Sequence, residues 1–349
     1  MNTFEFNYKT TLPKEANAPS VTINGYDDYE YEILFYIIKP DGLRHIKTFK
    51  CKTNETLFSG LNQWYTNWYI EVRLNGELVT SDTFNPNGKV VFIKLDGHAL
   101  GDNIAWIPYV DEFRKRNNCT VICSTFHNDL FKNIYKDILF VQPNTNIDNV
   151  YAQYYIGASY DESSKYSPVF VNEIPLQFVS PSILYLPLEE VRPPLEKQLT
   201  KINYRKKYVC LSEHASDPKK GWKFDGGWQI IVDYLNSLNY DVVVISKEET
   251  NLKNVINLTG NISLMDRAQT LYNSEFFIGV STGLSWLSWA VNTHTIMISD
   301  FTPINHEFKS NITRITANQD LTTVNYNLTN VTKPETVIDS IKKYLESKN

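Results

Sequence analysis

Hydrophobic and polar positions fall into two regimes along the chain. Residues 1–88 carry short runs rich in aromatic and β-branched residues, YEILFYIIKP, HIKTFKCKT and NWYIEVRLNGELV, broken by turn dipeptides such as Asn24-Gly25 and Asn75-Gly76. This pattern predicts a small antiparallel β domain, closed by the Pro- and Gly-containing FNPNGK from Phe84 to Lys89. From Lys89 the runs become continuously apolar and alternate with helical stretches. VVFIKL, TVICST and ILFVQP read as strands buried on both faces, with AWIPYVDEFRKR and HNDLFKNIY as the helices between them. PLEEVRPPLEKQ, from Pro187 to Gln198, has the composition of a linker.

The alternation then resumes. Strands YVCLSE, DVVVIS, EFFIGV and HTIMIS are separated by helices GGWQIIVDYLNSLN, SLMDRAQTLYNS and LSWLSWAVN. A last helix, KPETVIDSIKKYLESK, starts at Pro334 and Glu335. The expected organisation is α/β, with a β-rich domain at 1–88 and Rossmann-like units at 89–198 and 199–349. Two such units form a cleft between the carboxyl ends of their sheets, a common place for nucleotide ligands.

Composition narrows this only a little. The 349 residues suffice for two domains and a small third, and the hydrophobic content of 42% excludes disorder. A net charge of -5 does not advertise nucleic acid, although Arg205-Lys206-Lys207 and Lys219-Lys220 allow a local basic patch. No apolar run approaches the roughly 18 residues of a membrane span, and MNTFEFNYKTTLPKEANAP lacks the pattern of a secretory signal. A cytoplasmic protein without a membrane span is expected. Its four cysteines, Cys51, Cys119, Cys123 and Cys210, are too scattered for a disulfide framework or a four-thiolate metal site, and Cys119 and Cys123 are expected to pack in or beside a strand.

Three turns could carry chemistry. The first, Leu95 to Asp102 (LDGHALGD), ends a strand and opens a helix; Asp102 there is either an N-capping residue or a catalytic base, and spacing leaves both open. The second, Gly279 to Trp286 (GVSTGLSW), would offer unpaired backbone N–H groups at a helix N-terminus, enough to hold a diphosphate, or would be a simple capped turn. Trp286 and Trp289 are expected to pack in the core. The third joins Ser212-Glu213-His214-Ala215 to Asp217-Pro218-Lys219-Lys220-Gly221-Trp222-Lys223, whose lysines could neutralise a leaving diphosphate or simply be solvated.

Together these motifs resemble the bacterial autotransporter heptosyltransferases, relatives of the lipopolysaccharide heptosyltransferases. The resemblance is carried by FIKLDGHALGDNIAWIPYVDEFRKRNNCTVICSTFHNDLF, by YAQYYIGASYDE with the later IPLQ, by KKGWKFDGGWQIIVDYLNSLNYDVVVIS, and by FFIGVSTGLSWLSWAVNTHTIMISDFTPINHEF. It implies a GT-B architecture and an inverting, metal-independent glycosyltransferase. The donor would be a nucleotide-diphosphate sugar, ADP-heptose-like or a UDP-sugar, held mainly by the C-terminal unit. By motif, Asp102 would be the base and Lys220, two before Trp222, would contact the donor phosphates. Gly101, Ser281, Thr282, Gly283 and Leu284 would complete the donor site. His98, Ser212 and Trp222 are further candidates, as is Glu307, for a ribose or sugar hydroxyl, although Glu307 also reads as an exposed loop carboxylate.

The implied acceptor is a Ser/Thr hydroxyl of a bacterial surface polypeptide, and the resemblance leaves room for an oligomer. One departure stands out. Family members commonly carry a cysteine-rich iron-binding finger after this region, whereas Asp300 to Asn330, DFTPINHEFKSNITRITANQDLTTVNYNLTN, has no cysteine. That departure keeps a second acceptor in view, hydroxymethylcytosine in DNA as in phage-type DNA glycosyltransferases, which would place the protein in a host cytoplasm. A third reading is a non-catalytic module that binds a nucleotide sugar or glycan.

Overall fold

The computed structural model describes residues 1–8, 19–39, 41–59, 67–95, 97–157, 174–318 and 330–348. Residues 9–18 of the N-terminal stretch, Asp96 of the first glycine turn, residues 158–162 of YAQYYIGASYDE and residues 319–329 of the cysteine-free stretch lie outside the described residues.

The N-terminal runs form strands β1 (Thr3–Asn7), β2 (Ser20–Asn24), β3 (Glu30–Lys39), β4 (Gly42–Lys52), β5 (Thr56–Phe58), β6 (Trp68–Leu74) and β7 (Glu77–Thr83). They pair antiparallel in two sheets, ordered β1-β2-β5 and β4-β3-β6-β7. Alternation decides the faces, because Tyr31, Ile33, Phe35 and Ile37 point inward from β3 while the residues between them stay partly open. Asn75 and Gly76 both adopt positive φ, 53° and 86°, as a tight hairpin between β6 and β7 requires.

The first parallel unit comprises β8 (Val90–Leu95), α1 (Leu100–Asn117), β9 (Thr120–Thr125), α2 (Asn128–Phe131), β10 (Ile138–Val141), β11 (Ala152–Tyr155) and α3 (Val179–Leu184). Its sheet runs β10-β9-β8-β11, all parallel. The N-terminal sheets are separate from it but share its core. Tyr8 bridges to Ala152, its hydroxyl donates to Asp82 at 2.7 Å, and its ring meets Phe84 and Tyr151. Buried apolar side chains run unbroken from Val21 and Trp68 to Val91 and Ile104.

The second unit contains β12 (Tyr208–Ser212), α4 (Gly227–Ser237), β13 (Asp241–Val244), β14 (Ile256–Asn257), α5 (Leu264–Asn273), β15 (Phe277–Val280), α6 (Gly283–Ala290), β16 (Thr295–Ile298), β17 (Ile312–Ile315) and α7 (Pro334–Ser347). The parallel order β14-β13-β12-β15-β16-β17 is that of a doubly wound sheet, with its switch point between β12 and β15. This is the α/β, GT-B type of architecture expected from the sequence. Among the described residues no helix is long and apolar enough to cross a membrane.

Three local expectations change. The helix expected over HNDLFKNIY is only α2, Asn128–Phe131; Asn128 spends its side-chain amide on the Val141 carbonyl at 2.7 Å, pulling the chain toward β10. Strand β11 was hidden in YAQYYIG, whose Tyr-rich composition masks alternation. The Pro-rich segment is clamped as well as connecting. Tyr109 donates to the Glu189 carbonyl, Glu190 accepts from Gln177 Nε2 at 2.6 Å and from the Lys309 and Ser310 amides at 2.7 and 3.0 Å, and Arg192 donates to the Ala290 carbonyl at 2.9 Å.

The two parallel units meet where α1 and α6 begin. A Cβ on Gly101 would lie 2.7 Å from Trp286 Cδ1, and one on Gly283 would lie 2.8 Å from Leu100 Cβ, so each helix start admits a side chain of the other only as glycine. Gly101→Ala is expected to lower stability by about 1–3 kcal/mol from overpacking, despite alanine's better helix propensity. Chemical denaturation tests this, and a variant as stable as the parent would show that the contact is not tight.

Candidate active site

A cleft of about 530 Å³ lies at this junction, lined from both units. From the first come His98, Gly101 and Asp102, and from the second Ser212, Lys220, Ser281, Thr282, Gly283 and Leu284. Nine of the residues singled out in the sequence therefore meet at one place. Both edges are the carboxyl ends of parallel strands, β8 on one side and β12 and β15 on the other.

The β8–α1 turn is held by a buried residue that the motif reading passed over. Asn103 Nδ2 donates to the carbonyls of Gly97 and Ala99 at 2.7 and 2.9 Å, and its Oδ1 accepts from Thr125 Oγ1 at 2.5 Å. Ala99, not an aspartate, occupies the N-cap position. Asp102 is the third helical residue, which overturns the capping alternative. Its carboxylate opens partly into the cleft, and no described residue donates a hydrogen bond to it. Burial pushes its pKa up to about 6, against the pull of the nearby Lys220 ammonium. A half-dehydrated, unpartnered carboxylate of this kind can take a proton near neutral pH.

Lys220 comes from a short turn, Pro218–Lys220, set by Asp217, whose Oδ1 accepts from the Lys219 amide at 3.0 Å. Lys223 points elsewhere, donating to the Pro218 carbonyl at 2.6 Å, so the lysine cluster delivers Lys220 alone to the cleft lining among Lys219, Lys220 and Lys223. Trp222 is a correction. It is buried in the second core, donates Nε1 to the Thr332 carbonyl at 2.8 Å and packs edge-on against Trp228, outside the cleft lining. Its indole fills the space left by Gly227, where a Cβ would come within 2.7 Å.

At the β15–α6 turn, Thr282 is the N-cap residue and the first-turn amides of Gly283 and Leu284 have no intrahelical acceptor. Thr282 and Ser285 form a capping box, in which the Thr282 amide donates to Ser285 Oγ at 3.4 Å. Trp286 and Trp289 pack as expected, with Trp289 stacked on Phe308, and Trp286 also closes the cleft floor. Ser212 Oγ lies 3.2 Å from Ser246 Oγ at the end of β12.

Glu307 is the second correction. It is 1% exposed rather than a loop carboxylate in solvent, and it is not among the lining residues. It accepts from Arg314 Nε at 2.6 Å and from the Ser299 hydroxyl. Burial pushes its pKa up to about 7 while Arg314 opposes the rise.

Sequence reasoning missed Lys247, Glu248 and Arg267, which also line the cleft. The first two follow the carboxyl end of β13, a position that could have flagged them. Arg267 lies on an amphipathic helix and would be assigned to solvent, yet it is buried, donating to the carbonyls of Ile245, Ser246, Gly260 and Ile262. His98 stacks on Phe126 with ring centroids 3.7 Å apart, and His127 Nε2 lies 3.2 Å from the His98 carbonyl.

The donor set for iron is a poor fit. All four cysteines are buried, and burial pushes Cys119 and Cys210 up to about 11 and about 12, so these two remain thiols. No group of three or more His, Cys, Asp or Glu side chains suited to a metal occurs among the described residues.

Residues 186–337 match the model of glycosyltransferase family 9 (heptosyltransferase). Autotransporter heptosyltransferase BAHTCr of Citrobacter rodentium is 26% identical over 305 residues, covering 80% of this chain and 74% of that protein. A relative named inactive autotransporter heptosyltransferase BimC, from Burkholderia thailandensis, is 26% identical over 293 residues, covering 78% and 69% respectively. The fold is shared with the iron-containing dodecameric glycosyltransferase TibC of enterotoxigenic E. coli H10407, at a TM-score of 0.83 and 20% identity over 100% of this chain and 96% of that one. A second TibC structure, at a TM-score of 0.82 with 20% identity over the same shares of the two chains, is a complex with ADP-D-beta-D-heptose. Along 80% of its length this chain is similar in sequence to autotransporter heptosyltransferase BAHTCr, and along all of it the fold is that of TibC.

Proposed function

We propose that the chain is an inverting glycosyltransferase that moves a sugar from a nucleotide-diphosphate sugar to a hydroxyl of a macromolecule. The observation that carries this reading is the unpartnered Asp102 carboxylate, its pKa pushed up to about 6, in one cleft with Lys220 and the start of α6. Asp102 takes the acceptor proton as the hydroxyl oxygen bonds to the anomeric carbon. The bond from that carbon to the diphosphate breaks, and the nucleoside diphosphate leaves with its electron pair. Attack from the α1 side, opposite a diphosphate at α6, inverts the anomeric centre. Lys220 and the Gly283 and Leu284 amides stabilise the charge growing on the leaving phosphate, which supplies the role a metal would otherwise fill.

ADP-heptose is the donor we favour, from the TibC complex. The relatives' names favour a polypeptide acceptor over hydroxymethylated DNA, and hence Ser/Thr hydroxyls of a surface protein glycosylated in the cytoplasm. The relative named inactive supports a second reading, a module that binds a nucleotide sugar without transferring it.

Asp102→Asn distinguishes the two. Transfer to an autotransporter fragment, read by intact-protein mass spectrometry with ADP-heptose, is expected to fall at least about 100-fold while ADP binding persists. A parent protein that binds ADP-heptose yet adds no mass to any acceptor would favour the binding module.

The raised pKa gives two more expectations. Activity should rise with pH and level off above about 6, and Lys220→Met, which removes the cation lowering that pKa, should move this limb to higher pH. A flat profile between pH 5 and 8 in single-turnover assays counts against Asp102 as the base. Stability shifts in the opposite sense. The folded pKa lies above the unfolded value of 3.8, so the cost of ionising Asp102 is absent below about pH 4, grows toward pH 6 and is complete above it. Asp102→Asn should therefore be more stable than the parent by on the order of 1–3 kcal/mol at pH 7. That gain should vanish near pH 4 in urea titrations, and a pH-independent difference would disprove the assignment.

A further inference from the structure

The lining of the cleft is segregated by charge. Among the described residues its lysines and arginine, Lys220, Lys247 and Arg267, all come from the second unit, with Glu248 beside them. The wall from the first unit offers Leu100, Leu176, His98, His127 and a single carboxylate, Asp102. Burial lowers the pKa of His127, so its imidazole adds no charge at neutral pH. A diphosphate held by the second wall uses the cations there. The first wall is left with one negative group, which the roughly half positive charge at the start of α1 offsets only in part.

This wall also carries a fixed ring. His98 is exposed, yet its imidazole lies nearly parallel to Phe126, with ring centroids 3.7 Å apart and planes 21° apart. Phe126 is 39% exposed and braces His98 without entering the lining. An exposed side chain already held in one orientation gives up little further rotamer freedom when a ligand binds. The ring pair is tied to Asp102 as well. His127 Nε2 donates to the His98 carbonyl at 3.2 Å, the His127 amide donates to Thr125 Oγ1 at 3.1 Å, and that hydroxyl donates to Asn103, the residue after Asp102. Because Asn103 Nδ2 holds the Gly97 and Ala99 carbonyls, three successive carbonyls of the turn are bonded. His98 and Asp102 therefore belong to one braced turn, and the fold sets the distance between them.

We infer that His98, backed by Phe126, is an acceptor-specificity residue: a polypeptide segment with an uncharged or basic flank lies on the imidazole face while its hydroxyl reaches Asp102, and acidic or phosphate-bearing acceptors are rejected. The inference rests on the proposed transfer reaction. A flat ring suits an apolar side chain or the face of a peptide group. An anion in the same space meets the Asp102 carboxylate and the donor diphosphate together. A DNA acceptor brings phosphates on both sides of its reacting base, and this wall has no lysine or arginine among the described residues to neutralise them.

Serine peptides that differ only in flanks of Leu, Lys or Glu, together with an oligonucleotide containing hydroxymethylcytosine, test this on the full chain with ADP-heptose. The Glu-flanked peptide and the oligonucleotide are expected to show a kcat/KM at least about 10-fold below that of the other two peptides. His98→Ala and Phe126→Ala should each raise the KM for the Leu-flanked peptide about 3–10-fold, with a smaller effect on kcat and no loss of ADP affinity in calorimetry. Phe126→Tyr, which keeps the stacked ring, should recover the parent KM. Equal use of the Glu-flanked peptide, comparable transfer to the oligonucleotide, or an unchanged KM in His98→Ala overturns the inference. So does a fall in ADP affinity that matches the rise in KM, because it marks a general structural loss. A parent chain that transfers to no acceptor defeats the transferase reading separately. Fluorescence anisotropy of labelled Leu- and Glu-flanked peptides, with ADP present, then decides: a preference for the Leu flank that His98→Ala removes upholds the His98 face, and equal binding of the two overturns it.

Discussion

The close approach of two helix starts, α1 and α6, is the constraint on which the rest of the molecule depends. Each brings its glycine against a side chain of the other, Gly101 under Trp286 and Gly283 against Leu100. The contact is reciprocal, so neither helix can slide without opening a gap or a clash at both places. Asp102 follows Gly101 directly and Thr282 precedes Gly283, so the same packing that joins the two sheets also sets the distance between the carboxylate and the β15–α6 turn. The clamped Pro-rich segment holds this geometry from the far side, through Glu190 on the Lys309 and Ser310 amides and Arg192 on the last turn of α6.

Electrostatics at the junction balance two helix N-termini against one another. Both place positive ends toward the cleft, which suits an anionic donor and would by itself favour an ionised Asp102. Burial outweighs the pull of Lys220, leaving the carboxyl at about 6. Bound diphosphate would add negative charge beside it and raise its proton affinity further, the direction a general base needs. In the proposed mechanism, the stability lost by keeping Asp102 ionised at neutral pH accompanies its use as a base.

Legibility followed the range of the interactions involved. Strands β8, β12 and β15, with the glycine turns after them, could be read locally, because a continuous apolar run followed by a Gly-containing turn has few other structures available. Asp102, Lys220 and the Ser281 to Leu284 turn inherit their place from that rule. Trp222 could not be placed, because a lysine-rich neighbourhood says nothing of the carbonyl of Thr332, far along the chain, that its indole meets. Glu307 was read as exposed because its burial depends on Arg314 arriving from β17. The short α2 and the buried Asn103 depend on tertiary hydrogen bonds to Val141 and Thr125.

Arg267 places a positive charge at the cleft of a chain whose net charge is -5. Its guanidinium is buried and bonded to four backbone carbonyls, at Ile245, Ser246, Gly260 and Ile262, so its hydrogen-bonding capacity is met while its charge is not cancelled by contact with a carboxylate. Burial lowers its pKa, with Glu248 opposing, yet a guanidinium that starts at 12.5 stays protonated throughout the physiological range. The positive field therefore reaches the cleft from within the wall, where water and salt screen it less than they would a surface lysine. The same bonds tie the loop after β13 to the turn before α5, so one residue both shapes this side of the cleft and adds a positive charge to it.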